Sequence, residues 1–442
     1  MKRAILLLII VFIGIQFIPA SVQNPPATHP LQAPPAVAGI LQRSCFNCHS
    51  NETHLNWYDK IAPASWLIAA DVKEARSRFN FSTWDTLSAA DKQGRFWEIV
   101  NMAITRKMPL PTYAALHPEA HLSKQDIDTL KKYAQELSPG TWHDTVIVQQ
   151  AEKEFLQFQQ QQTPFTQQRV TANGIAYIPD FQNWQVISTT NRFDNHSIRI
   201  IYANDIAAKA IRENQTASFP EGSTIVKAVW NSIEEKNGNI SSGSLNSVQI
   251  MTKDLKKFPD SKGWGFAKFN GIQLTPYGQS AAFNTTCFNC HKIADKNDYI
   301  FNLPLPDAAP QQQATTSTPQ RKVFDARGQH VIAVFANRAQ QSMSVLYGND
   351  AAKKLSLASS TTPAAGAQFT LVTYQQANNP YWFGSYINGR IQSVEQITGI
   401  GASPMWTYRL QQGQAPADNT GKPIPSNVRI AFLLSHKPSV FP

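Results

Sequence analysis

The sequence predicts a multidomain α + β protein: an all-α domain first, then an antiparallel β-rich domain, then a second β-rich domain that repeats the first in outline. Three observations carry this. Before about residue 139 the apolar residues recur at helical spacing behind Ser-x-x-Asp start signals, and after about residue 185 they gather in short β-branched runs. One short pattern from the middle of the chain then returns near its end. At 442 residues, 42% hydrophobic and 16% charged, the chain is an ordinary globular protein with room for several cores.

Residues 1–20 read as an export segment. Lys2 and Arg3 precede an apolar run over residues 4–15 that extends to Ile18, the charged and hydrophobic regions of a signal peptide. The run is short for a membrane span of about 20 residues, and no clean small-x-small cleavage site follows it. A cleaved signal and a retained N-terminal membrane anchor therefore both stay open. Either way the expected location is the periplasm, soluble or tethered to the inner membrane. Residues 21–38, with Pro25-Pro26 and Pro34-Pro35, read as an extended linker.

Residues 39–140 carry the helical domain. Ile68, Val72, Ala75 and Phe79 lie on one face of a helix over residues 64–79. Ser88 with Asp91, and Ser123 with Asp126, open two more, lined by Phe96, Ile99, Val100 and Ala103 and by Ile127, Leu130, Ala134 and Leu137. Pro139-Gly140 stops the last. Residues 141–174 are a Gln-rich linker with a short helix over residues 146–158. In residues 175–305 strands are expected at 198–202 and 224–230, a helix at 206–211, and turns at Gly222-Ser223 and Asn237-Gly238. Residues 306–321 form another linker. In residues 322–442, Leu346-Tyr347-Gly348-Asn349-Asp350-Ala351-Ala352 echoes Ile201-Tyr202-Ala203-Asn204-Asp205-Ile206-Ala207, and Pro363-Ala364-Ala365-Gly366 echoes Pro220-Glu221-Gly222. A strand at residues 428–434 is expected to close this second copy.

All four cysteines fall in two identical pentapeptides, Cys45-Phe46-Asn47-Cys48-His49 and Cys287-Phe288-Asn289-Cys290-His291. Two thiols three apart with histidine next are what covalent c-type haem attachment requires: the thiols add across the two vinyl groups, and the imidazole binds the iron. A zinc site joining both cysteine pairs would leave the two histidines unexplained. The expectation is two covalently attached c-type haems, their iron bound by His49 and His291. Haem propionates offset part of the net charge of +10. No basic run interleaved with aromatics marks a nucleic-acid partner.

The first haem needs a sixth ligand if it is to carry electrons, and a thioether suits that role. Met108, followed by Pro109 in an irregular stretch between helices, is the leading candidate. His117, His121 and His54 are rivals, and Met102 belongs inside a helix. The second haem has no evident distal ligand. Met251 sits in an apolar alternation, and His196 is the other histidine of residues 175–305. An open position suits nitric oxide, hydroxylamine or peroxide. Oxidation of hydroxylamine would also call for a distal base, and neither Thr285 nor Thr286 is one.

Two resemblances add to these readings. Cys45 to Asn51, then Trp57-Tyr58, Ile61-Ala62-Pro63, Ser65-Trp66-Leu67, Met108-Pro109, Tyr113, His117-Pro118, Ala120 and Leu122-Ser123 resemble a small monohaem-binding domain of exported bacterial proteins. That resemblance implies Met108 as axial ligand. Residues 175–305 are similar to the cytochrome P-460 family through Tyr202-Ala203-Asn204-Asp205, Phe219-Pro220-Glu221-Gly222-Ser223, Val226-Lys227, Lys253-Asp254, Phe258-Pro259, Gly263-Trp264-Gly265-Phe266, Cys287 to Lys292, Asp298-Tyr299 and Phe301. The family includes hydroxylamine-oxidising enzymes and nitric-oxide-binding cytochromes c′-β, usually homodimers with an antiparallel sheet. The resemblance implies that Lys227 is joined covalently to the haem edge. In the second copy Leu371 stands at that position and no attachment motif follows, so residues 322–442 are read as haem-free and as filling the second subunit's place in a monomeric pseudo-dimer. The expected function is oxidation of hydroxylamine or nitric oxide at the second haem, with electrons leaving through the first to an external redox partner such as a small cytochrome. Capture of nitric oxide without turnover, and pure electron transfer between two capped haems, are the alternatives.

Overall fold

The computed structural model describes residues 2–18, 20–138, 145–160, 169–306, 321, 323–401, 405–417 and 421–441. The chain divides into two compact units, residues 1–139 and 140–442. The stop at Pro139-Gly140 and most of the linker at residues 306–321 lie outside the described residues.

The first unit is helical. Its elements are α1 (Lys2–Ile15), α2 (Pro35–Ser44), α3 (Phe46–His49), α4 (Ala64–Arg78), α5 (Ala89–Ile104), α6 (Pro111–Leu116) and α7 (Lys124–Glu136). The start signals act as expected: the Ser88 side chain accepts the Asp91 N–H, and Ser123 and Asp126 form a reciprocal capping box. Phe96, Trp97, Val100, Leu130 and Ala134 are buried between α5 and α7. The Pro-rich segment is extended, yet it does not stand off as a tether. Thr28 and His29 donate to the Ser82 carbonyl, Leu31 donates to Phe81, and Asn24 bonds Thr53 and Arg76. Main-chain groups that proline leaves without secondary-structure partners are satisfied against the domain itself.

The second unit begins with α8 (Thr145–Gln160), which lies on the sheet with the Glu154 carboxylate accepting the Leu245 N–H, so this part of the Gln-rich linker is packed. Then come β1 (Gln185–Arg192), β2 (Ser197–Ala203), α9 (Asp205–Arg212), β3 (Thr224–Glu234), β4 (Asn239–Lys253), β5 (Trp264–Asn270), β6 (Thr275–Pro276) and α10 (Phe283–His291). The second copy supplies β7 (His330–Asn337), β8 (Ser342–Gly348), α11 (Asp350–Leu357), β9 (Gln368–Asn378), β10 (Ser385–Ile400), β11 (Met405–Gly413) and α12 (Ser426–Leu434). The expected strand at residues 428–434 is a helix. A short apolar run does not distinguish the two periods, and here Leu433 packs into the core while Arg429 on the same helix turns its guanidinium onto Glu395.

At one helix cap the two copies match bond for bond. Asn204 caps α9, accepting the Ala207 and Thr224 N–H groups and donating to the Gly222 carbonyl; Asn349 does the same with Ala352, Gln368 and Gly366. The copies share one 11-stranded antiparallel sheet, in which the path β3-β2-β1-β10-β9-β8-β7-β4 closes on itself through β3–β4 pairing. The junctions are reciprocal. Arg192 pairs with Ser385 where β1 meets β10, and Asn337 pairs with Asn239 where β7 meets β4. The barrel is thereby closed by two reciprocal junctions between the copies.

Candidate haem sites

In the first unit Cys45 ends α2 and its carbonyl accepts the N–H groups of Cys48 and His49, which starts α3 as a single tight turn. His49 is 7% exposed and stacks on Phe79, with ring centroids 4.2 Å apart. Burial lowers its pKa to about 4, so the imidazole is neutral at pH 7, as an iron ligand must be. Asn47 donates to the Tyr113 hydroxyl at 2.7 Å and thereby ties the attachment turn to α6. Met108 lies on the segment leading from α5 into α6, half-buried, its N–H on the Met102 carbonyl at 3.2 Å. Of the rivals, His54 and His121 are exposed, while His117 is 3% exposed, with Glu119 at 3.1 Å from Nδ1 and a buried Nε2 that has Asp59 at 3.7 Å and no hydrogen bond.

In the second unit Cys287, Cys290 and His291 occupy the last turns of α10. Phe283 and Phe288 are buried on this helix. Asn284 fixes it to β5, accepting the Phe266 N–H at 2.8 Å and donating to Ser261 Oγ at 2.9 Å. His291 Nδ1 lies 2.7 Å from the Tyr299 carbonyl oxygen. An N–H there leaves Nε2 as the lone-pair nitrogen for iron. Burial lowers the His291 pKa to about 3. Phe266 and Phe301 meet the ring edge-on at 4.9 and 4.8 Å.

The Tyr299 carbonyl is presented by two successive non-glycine residues at positive φ, Asp298 at 46° and Tyr299 at 70°. Such backbone costs about 1–3 kcal/mol per residue and persists only where its surroundings hold it. Asp298 is held by buried Lys253, 2.8 Å away, and by the Phe219 N–H. Asp298→Ala is expected to lose about 3–5 kcal/mol in denaturant unfolding because it strands a buried ammonium. The paired change Lys253→Met with Asp298→Leu should recover most of that loss.

Lys227 projects from β3, where it pairs with Ile201 on β2 and Gln249 on β4. Burial, and then the charges of Arg199 and Arg192, hold its pKa well below the usual lysine value, against the opposing influence of the Cys290 thiol. Lys227 in turn acts on Cys287 and on His291. Electrostatics thus couples β3 to α10 across some sixty residues of sequence that no local pattern bridges. Met251, 9% exposed, is a core residue. His196 is bound to Glu234 at 3.2 Å.

Sequence reasoning missed the cations around Lys227. Arg199 is 7% exposed on a strand otherwise made for a core, and that misplaced charge in Ser197–Ala203 was the available signal. It also missed Trp382, which comes from the second copy. Trp382 meets Phe301 edge-on at 5.8 Å, donates from Nε1 to Asp194 at 2.9 Å, and carries Arg192 over its ring at 4.5 Å. Asp194, the carboxylate that this region carries, is thus tied to Trp382 and to Arg192.

The two Cys-x-x-Cys-His motifs lie in separate units, and among the described residues no cluster of three or more His, Cys, Asp or Glu is arranged to hold a metal ion. Each motif has what a haem asks of the chain: a paired-thiol turn and a neutral imidazole beside it, buried at His49 and half-buried at His291. Comparison with known families agrees. Residues 10–136 match a haem-binding domain, and residues 178–302 match cytochrome P460. No curated protein matches the chain. The chain is a haem-binding cytochrome with haem iron as its cofactor.

Proposed function

We propose that this haem-binding cytochrome is an exported protein with two covalent haems, in which the His291 site oxidises hydroxylamine or nitric oxide and the His49/Met108 site passes the electrons to an external redox protein. The observation that carries this reading is Lys227, a half-buried lysine on β3 whose pKa is held well below the usual value by desolvation and the charges of Arg199 and Arg192, and which acts electrostatically on Cys287 and His291. A haem there supplies iron that binds a small nitrogen ligand and accepts its electrons. The residues do the rest. Tyr299 orients the His291 ring. Burial keeps Lys227 inclined to the neutral, nucleophilic form. Joining its Nζ to the ring edge replaces one N–H and one C–H with an N–C bond, a two-electron oxidation for which a peroxide is the external oxidant. Arg192, Arg199 and Lys268 surround the site with positive charge that favours haem propionates and anionic nitrogen species.

One observation favours a second reading, capture of nitric oxide without turnover. The strongest charges acting on Lys227 include no carboxylate, and Asp194 is already engaged. Hydroxylamine with an artificial electron acceptor decides between them. Steady turnover is expected, together with carbon monoxide binding at one haem of two. Gas binding without turnover would move the assignment to capture, and no gas binding at either haem would leave electron transfer alone.

For export, the supporting feature is α1, which exposes Ile5, Leu6, Leu7 and Leu8. No helix among the described residues is long and apolar enough to cross a membrane. The reciprocal β1–β10 and β4–β7 registers support the monomeric pseudo-dimer. Light scattering of the purified protein should give one chain; a dimer would count against it.

A further inference from the structure

The second copy keeps a histidine where the first has His291, without the paired thiols that precede it. Strand register fixes the correspondence between the copies. Thr190 pairs with Arg199 as Phe335 pairs with Ser344, Ile201 with Lys227 as Leu346 with Leu371, and Lys227 with Gln249 as Leu371 with Glu395. The helix that follows β5 and β6 in the first copy is α10, and the helix that follows β11 in the second is α12. Each buries one large residue in its own copy's core, Phe288 beside Ile201 and Ile225, and Leu433 beside Leu346 and Phe369. Setting Phe288 on Leu433 lays Cys287 on Phe432, Cys290 on Ser435, and His291-Lys292 on His436-Lys437. His436 then follows His291 at the same spacing that separates β7 from β1.

His436 is built into the fold as a ligand would be. Its ring stacks on Phe335 at 3.9 Å and meets Phe432 edge-on at 4.7 Å. Its Nε2 is buried and has no hydrogen-bond partner. Such a nitrogen costs about 1–3 kcal/mol and calls for a partner that the protein chain does not supply. Burial and nearby Arg429 keep the ring neutral, with a pKa of about 4. The same imidazole lines a cavity of about 1240 Å³ with Leu371, Phe335, Phe432 and Phe155 in its walls. Small-molecule pockets run to roughly 300–1000 Å³, so the volume is that of a large ligand. Arg390, exposed on the cavity lining, offers a cation to a propionate. Glu395 and Arg429 satisfy each other within it, and Leu371 in place of Lys227 removes the amine that would modify a ring.

We propose that the second copy binds a further haem non-covalently, with His436 Nε2 as its axial iron ligand. This rests on the reading of His291 as a haem ligand, through the correspondence of the two copies. The test is titration of the purified full-length holoprotein with ferric haem, followed by acid–acetone extraction. The expected result is one saturable equivalent per chain with a new Soret band, removed by extraction while the thioether-bound haems stay on the protein. His436→Ala and the milder His436→Gln should each abolish that equivalent and leave the covalent haem content unchanged. No saturable binding by the wild type, or undiminished binding by both variants, would overturn the proposal. Loss of covalent haem at Cys287 and Cys290 would instead refute the first site, a separate readout in the same preparation.

Discussion

Replacing Lys227 with methionine is expected to turn the second haem into an ordinary c-type chromophore: the red-shifted ferrous Soret band disappears and hydroxylamine turnover falls to background. The fold should survive the change. Lys227 sits inside the β2–β3–β4 ladder through its main chain, and methionine fills a similar volume without the charge that Arg199 and Arg192 disfavour. Unfolding stability of the barrel should therefore change by no more than about 1 kcal/mol, since the packing is kept. Absorption spectra and denaturant curves on the same samples separate the chemical effect from a structural one. A wild type with an unaltered c-type spectrum would show that no cross-link forms.

Replacing Cys287 and Cys290 together with alanine is expected to halve the covalent haem, from two per chain to one, read by intact mass and by haem staining of the denatured chain. Activity at the second site should vanish. The barrel should remain, because α10 is held by Phe283, Phe288 and the Asn284 hydrogen bonds to Phe266 and Ser261, not by the cysteines. The matching change at Cys45 and Cys48 should leave the second haem in place and reactive while cutting its outlet. Electron delivery to a small external cytochrome then stops, whereas gas binding continues. Equal covalent haem in wild type and in either variant would refute attachment at that motif.

Much of this arrangement was legible before the fold. The caps at Ser88, Ser123 and Asn204 act within three residues, so their helices could be read from the chain. Both Cys-x-x-Cys-His turns are equally local. The echo of Asn204 in Asn349 was legible too, and it extends to the same three hydrogen bonds. The run at residues 428–434 misled because Val428, Ile430, Phe432 and Leu434 alternate as a strand would, while Leu433 and its neighbours meet the core only as a helix. With that helix misread, the counterpart of α10 went unseen, and with it the match of His436 to His291.

What the sequence by itself determined is the local chemistry: where thiols can hold a haem, which imidazole lies next to them, and where helices begin. Those features act over a few residues and need no partner from afar. Only the tertiary structure decided that Lys227 on β3 acts on Cys287 of α10, that Trp382 from the second copy packs beside Phe301, and that β1 pairs with β10 as β7 pairs with β4. These are pairings across long loops. Their register is set by closure of a barrel whose two halves bury each other's edges, and no short-range pattern encodes that closure.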